Sequence, residues 1–179
     1  MDGMTEPLLR GLPPVAGPAT RLLVLGSFPG VASLAAQQYY GHPRNHFWPI
    51  VGALFGRPLA DWPYARRVTW VQRHGLGLWD VYACCRRPGS LDADIRDAEL
   101  NDLPGLVARL PRLTLIAHNG GESARVMRLT AALGVPVLRL PSTSPANASW
   151  RFERKLQAWA GAFHQAGLGT APGAVGAVG

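Results

Sequence analysis

Residues 26–50 read GSFPGVASLAAQQYYGHPRNHFWPI, and they follow directly on an apolar run, RLLVLG, at residues 21–26. A short Leu/Val-rich run ending in a turn predicts a buried parallel strand. The connection after it holds a Gly-Pro-Gly turn, a stretch of small residues, a tyrosine pair and a His-Pro-Arg-Asn cluster, and it closes by entering an aromatic helix. Connections this long inside a compact domain are functional or disordered. Disordered ones do not gather Tyr39, Tyr40, Phe47 and Trp48 so closely. The stretch therefore predicts one half of an active site.

Outward from it, the chain alternates. Residues 46–55 predict a helix with Asn45 as its N-cap and Pro49 in its first turn. Residues 61–74 predict an amphipathic helix with Asp61 as cap and Gly75 past its end. GLWDVY (77–82) predicts a second strand, followed by the polar, turn-rich CCRRPGSLDADI. A short helix is expected at 100–110, a third strand at 113–117, a helix at 122–133, a fourth strand at 136–140 and a long helix at 148–165. Residues 1–19, with four prolines and no periodicity, predict an irregular lead-in, and 167–179 a flexible tail. One domain over 20–166 is expected: a three-layer α/β/α sandwich around a four-stranded parallel sheet. GSFPG, HNGG and PSTSP each follow a strand, and the second strand leads into CCRRPGS. In a parallel sheet these loops share one edge, where ligands bind.

Composition narrows the class. In 179 residues, 47% are hydrophobic and the mean hydropathy is near zero, as in a soluble globular protein. No apolar run reaches the roughly 20 residues that span a bilayer, and no signal peptide is visible. The two cysteines, Cys84 and Cys85, are adjacent, which disfavours a disulfide and cannot supply a four-ligand metal site. A cytoplasmic protein without metal is expected. The net charge is +7, and among 18 Lys and Arg residues Lys155 is the only lysine. A basic surface points to a polyanion, nucleic acid first, and arginine pairs bidentately with phosphate. High Arg and Ala content is also what a GC-rich genome produces.

The motifs resemble one family. GSFPG, then ten residues to Tyr40, then HPRNHFW, is similar to the first motif of the uracil-DNA glycosylase superfamily. PSTSPANAS resembles its second motif. GSFPG, QQYYGHPRN, GLWDVY and LPSTSPAN together resemble most closely the hypoxanthine-DNA glycosylase branch, over roughly residues 20–165. The resemblance implies a monofunctional glycosylase of base excision repair that flips a damaged nucleotide and hydrolyses its base–sugar bond. It implies no cofactor. The implied partner is double-stranded DNA carrying a damaged base, or a single strand, bound by a monomer at the nucleoid. Most branches carry Asp or Asn where this chain has Phe28, and the resemblance passes their water-positioning role to Asn45.

That chemistry needs a positioned water, donors to the base and a dry stacking pocket. Asn45 can orient a water through its amide oxygen but does not titrate; it can equally be a helix cap. Gly26 and Gly30 allow close backbone approach, so N–H groups of Ser27 and Phe28 can meet the base, in place of an ordinary turn. Tyr40 is the expected stacking platform, Tyr39 the packed partner. Asn119 offers a donor and an acceptor to a purine edge, or caps a helix. Ser142, Thr143, Ser144 and Pro145 form a loop suited to phosphates, with Ala146 and Asn147 at a minor-groove wedge. Arg44, with Arg86, Arg87 and Arg151, is a candidate phosphate contact. His42 and His46 are candidates to protonate the leaving base or bind a phosphate, with structural readings stronger, and His118 can serve in place of Asn119. The alternatives are a mismatch-type uracil glycosylase, a non-catalytic nucleic-acid-binding module, and a small-molecule enzyme. The last would want a GxGxxG or GxxxxGK[ST] loop, and neither is present.

Overall fold

In the computed structural model, which describes residues 5–169, four parallel strands make the central sheet: β2 (Leu22–Gly26), β3 (Leu76–Asp80), β6 (Leu115–Asn119) and β7 (Val137–Leu140), in the order β3-β2-β6-β7. β2, β3 and β6 are buried along their whole length. That burial is why their sequences are continuous apolar runs without alternation. Leu22 pairs with Leu76 on one side and Leu115 on the other, and the register brings Gly26 beside Asp80. The chain reverses its direction of travel across the sheet between β2 and β6, which opens a crevice at the strands' carboxyl ends.

Helices flank this sheet, as the alternation predicts. α2 (Phe47–Phe55) and α7 (Phe152–Gln165) pack on each other through edge-to-face contacts of Phe47 with Trp159 and Phe55 with Phe163. α3 (Tyr64–Arg73) lies against β3, and α4 (Leu103–Ala108) precedes β6. α3 begins later than expected, because Leu59–Asp61 forms a separate 3-10 turn before Pro63. The expected helix at 122–133 is two short ones, α5 (Gly121–Ala124) and α6 (Met127–Ala131), broken at Arg125–Val126. α7 starts at Phe152, four residues beyond the expected start. The small residues 31–36 form a further helix, α1 (Val31–Ala36).

A second sheet was not expected. β1 (Leu8–Arg10), β4 (Tyr82–Arg86) and β5 (Arg96–Leu100) pair antiparallel in the order β1-β4-β5. The lead-in is thus not irregular. Leu9 pairs with Cys85, and Val15 exchanges two hydrogen bonds of 2.8 and 2.7 Å with Leu78. CCRR, expected as turn, is the middle strand of this sheet. At the other end, Leu168 is buried and its N–H donates to the Phe163 carbonyl. The packed domain therefore extends past residue 166; the tail from 170 onward lies outside the described residues. No helix among the described residues is long and apolar enough to cross a membrane.

Candidate active site

The loops that leave the carboxyl ends of β2, β3, β6 and β7 enclose a cavity of about 770 Å³. Its floor is the end of β2, Gly26 to Pro29, beside Asp80 of β3. One wall is the aromatic connection, with Ser33, Tyr39, Tyr40 and Asn45. The opposite wall is Ser90, Leu91 and Asp92. Asn119 and Gly120 close the side at β6, and the loop after β7 forms the rim through Ser142, Thr143, Ser144, Ala146 and Asn147.

A Cβ at Gly26 would overlap Oδ1 of Asp80, so any other residue there would force that carboxylate to move. The next two residues expose backbone: the N–H groups of Ser27 and Phe28 donate to no acceptor among the described residues. Ser27 Oγ donates to Asp92 at 2.6 Å. The Phe28 ring lies 5.4 Å from the guanidinium of Arg87, which is buried and donates to the Pro29 carbonyl at 2.6 Å. Arg87 thus holds the turn from behind.

Tyr40 has left-handed backbone geometry (φ +55°), uncommon for an aromatic residue. Its ring stacks on Phe47 at 4.0 Å, and its hydroxyl accepts from Asn119 Nδ2 at 3.3 Å. Tyr39 is the packed member of the pair. It is buried and donates its hydroxyl to the Pro13 carbonyl, while its own carbonyl accepts from Trp48. The N-terminal segment is therefore what fixes the tyrosine pair.

Asn45 lines the cavity, and its Oδ1 accepts from the Phe47 N–H at 2.9 Å. It does not cap α2 in the way the sequence suggests, because His46 is the N-cap; the Asn45 bond closes a turn just ahead of the helix. Its Nδ2 carries no hydrogen bond to the described residues. Asn119 is more heavily engaged. Its Oδ1 accepts from the Thr143 N–H and its Nδ2 donates to Thr143 Oγ1, each at 3.0 Å. This pair of bonds ties β6 to the loop after β7. Within that loop Ser144 N–H donates to Ser142 Oγ, Ala146 N–H to Ser144 Oγ, and Asn147 Nδ2 to the Ser142 carbonyl.

Gly30, Arg44 and Pro145 do not line the cavity. Gly30 begins α1, with the following N–H donating to Ser90 Oγ at 2.9 Å; Arg44 is exposed beyond the wall. None of the three candidate histidines lines it either. His118 is sealed behind β6 between Ser123 Oγ and Thr130 Oγ1, each at 2.8 Å, and burial pushes its pKa down to about 4. His46 lies 3.2 Å from Nζ of Lys155, and burial, then that cation, lower its pKa. Lys155 is itself buried and reaches the Ser144 carbonyl at 3.4 Å. It links the HPRN loop to the PSTSP loop. His42 Nδ1 accepts from the Arg44 N–H.

Among the cavity residues that sequence reasoning passed over are Asp80, Asp92, Arg139 and Trp150. Asp80 is the most unusual. It is 5% exposed, and its Oδ2 is buried with no hydrogen-bond partner. Burial, then the nearby Asp92, raises its pKa to about 7 against the opposing pull of Arg87. The signal was available, as an acidic residue ending an otherwise apolar strand, GLWD.

Comparison with known proteins agrees with this geometry. The uracil DNA glycosylase superfamily profile matches residues 13–162. The chain is 38% identical over 154 residues to a hypoxanthine DNA glycosylase of Methanosarcina acetivorans, covering 86% of this chain and 97% of that one. The same figures hold for a hypoxanthine DNA glycosylase of Methanosarcina barkeri. A G/U mismatch-specific uracil DNA glycosylase of Schizosaccharomyces pombe is 30% identical over 98 residues, covering 53% of this chain and 28% of that one. Among solved structures, the solution NMR structure of a Methanosarcina acetivorans protein assigned to the uracil DNA glycosylases superposes with a TM-score of 0.81 at 37% identity, covering 90% of this chain and 99% of that one.

Proposed function

Since this chain belongs to the uracil DNA glycosylase superfamily, we propose that it is a monofunctional DNA glycosylase that removes deaminated bases, hypoxanthine first, as the opening step of base excision repair. The observation that carries this reading is the convergence of the GSFPG, HPRN, HNGG and PSTSP loops on one cavity at the carboxyl edge of the parallel sheet. The two relatives that match over most of the chain carry hypoxanthine in their names.

In this reading a duplex lies across the rim, bound as a monomer, and the damaged nucleotide rotates into the cavity. Ser142, Ser144 and the backbone around Ala146 and Asn147 meet the phosphates, with Arg44 at the outer edge. The base enters beside Tyr40 over the free N–H groups of Ser27 and Phe28. Those donors stabilise the negative charge that builds on the base as its bond to C1′ breaks. A water adds to C1′ from the opposite face and loses a proton to solvent, while the base leaves with the bonding electron pair and is protonated. Asn45 orients that water. Its Oδ1 keeps a second lone pair beside the one that accepts the Phe47 N–H, and its Nδ2 is free. Asn119, tied to Thr143, holds the rim loop and Tyr40 in register.

The test uses duplex oligonucleotides with a single deoxyinosine or deoxyuridine, followed by alkali to cut abasic sites. Wild type is expected to cut at deoxyinosine. Asn45→Ala is expected to lose roughly 100-fold or more in turnover, with duplex affinity within about twofold. Cutting at deoxyuridine alone would favour the mismatch-type uracil activity named in the fission-yeast relative. Intact binding with no cutting would favour a non-catalytic module.

A further inference from the structure

The cavity contains one group that the reaction above leaves unused. Asp80 ends β3 in register with Gly26, its Oδ1 against the Gly26 backbone and its Oδ2 buried without a partner. A buried carboxylate without hydrogen bonds is costly, and folds keep one where it meets a ligand. The other polar side chains around it are committed, except that Nε of Arg87 is also buried without a partner. Asp92 accepts from Ser27, Asn119 is bonded at both ends of its amide to Thr143, and Arg87 is turned to the Pro29 carbonyl. One strand over from Asp80, the N–H groups of Ser27 and Phe28 are free. The floor thus sets an unfilled acceptor beside unfilled donors.

Deamination makes the complement of that pair. In adenine the ring nitrogen at position 1 carries a lone pair beside an amino group. In hypoxanthine the same edge is an N–H beside a carbonyl. Cytosine and uracil differ in the same way. We infer that Asp80 is the residue that recognises a deaminated base: its ionised carboxylate accepts the ring N–H that deamination creates, while the Ser27 and Phe28 N–H groups donate to the new carbonyl. An undamaged adenine would set its own lone pair against the carboxylate and its amino group against those donors. Both mismatches leave buried polar groups unpaired, the strongest form of discrimination a small pocket has. The inference rests on the glycosylase reading and adds how that site chooses its base. It also makes Gly26 a part of recognition, because any side chain there would push Asp80 away.

Protonation turns one oxygen of Asp80 into a donor and removes the charge that strengthens acceptance of the ring N–H, so recognition depends on its charge. The groups facing it are Asp92, which favours the neutral acid, Arg87, which favours the carboxylate, and the hydroxyls of Tyr39 and Tyr40. Wild-type kcat/KM on deoxyinosine is therefore expected to fall as the pH drops through about 7.

The experiment measures single-turnover cleavage of deoxyinosine, deoxyadenosine and 1-methyl-deoxyinosine duplexes against pH. Asp80→Asn, close in shape, is expected to lose about 10- to 100-fold on deoxyinosine, to lose the acid limb of the profile, and to narrow the gap between deoxyinosine and deoxyadenosine. Its affinity for an abasic duplex is expected to be unchanged. A wild-type rate and wild-type pH profile in Asp80→Asn overturn the inference. A second arm needs no variant: wild type is expected to leave 1-methyl-deoxyinosine, which lacks the N–H, uncut, and cutting at the deoxyinosine rate overturns the inference even where Asp80→Asn fails to fold. Failure of the glycosylase reading itself is distinct, for wild type would then release no base from any duplex.

Discussion

Gly26 and Asp80 illustrate how a single position can be set by another chain segment. Nothing local requires glycine at the end of β2; its φ is unexceptional. The requirement comes from Oδ1 of Asp80 on the neighbouring strand. Gly26→Ala is expected to cost on the order of 1–3 kcal/mol by overpacking and to abolish cleavage, read as a lowered Tm together with lost kcat. Asp80 has a stability signature of its own. Its folded pKa is raised to about 7 from an ordinary 3.8, so the folded state holds a proton that the unfolded chain releases. Stability is therefore higher at low pH and is lost as the pH rises through the window between those values. Asp80→Asn is expected to raise Tm at pH 8 and to leave it nearly unchanged at pH 4. Asp80 was hard to see in GLWD because a lone acid after an apolar run reads as a strand end, and its burial depends on the partner strand.

At the scale of elements, the strands of the parallel sheet were legible because each is built on a short apolar run followed by turn residues, and their order of loops followed from that. The antiparallel sheet was not. β5 reads RDAEL and is exposed along its length, so no alternation marks it, and β1 hides among prolines. Both are strands only because β4 offers them a partner. Among the site residues, the cap expected at Asn45 falls one residue later, at His46, while Tyr39 as the packed tyrosine was legible. The engagement of Asn119 with Thr143 was not, since the two meet only when β6 and β7 pair. The bridge between the HPRN and PSTSP loops gives a further expectation. His46 accepts from Lys155 only while neutral, and its folded pKa is depressed. The stability it contributes is present above the ordinary histidine value of 6.5 and is lost as the pH falls through its folded value. Thermal melts at pH 7.5 and 5 are expected to show an acid loss that shrinks in Lys155→Met, where no donor remains to be displaced.

For the whole molecule, a net charge of +7 and an arginine-rich surface predict duplex binding that weakens steeply with salt, its logarithm falling linearly with log salt concentration. Titrations at several salt concentrations check this, and a flat dependence would contradict phosphate contact at the rim.

The placement of the single lysine has one more consequence. Some enzymes that act on damaged DNA go on to nick the strand, and they do so by forming a Schiff base between an amine and the sugar aldehyde left behind. Arginine, always protonated, cannot do this. Lys155 is 1% exposed, is aimed at His46 and the Ser144 carbonyl, and is absent from the cavity wall. No lysine amine can reach the aldehyde. The expected product is an unbroken strand bearing a bare sugar, and borohydride is expected to trap no covalent adduct through a lysine. A separate activity is then expected to cut the backbone, on a strand it receives intact.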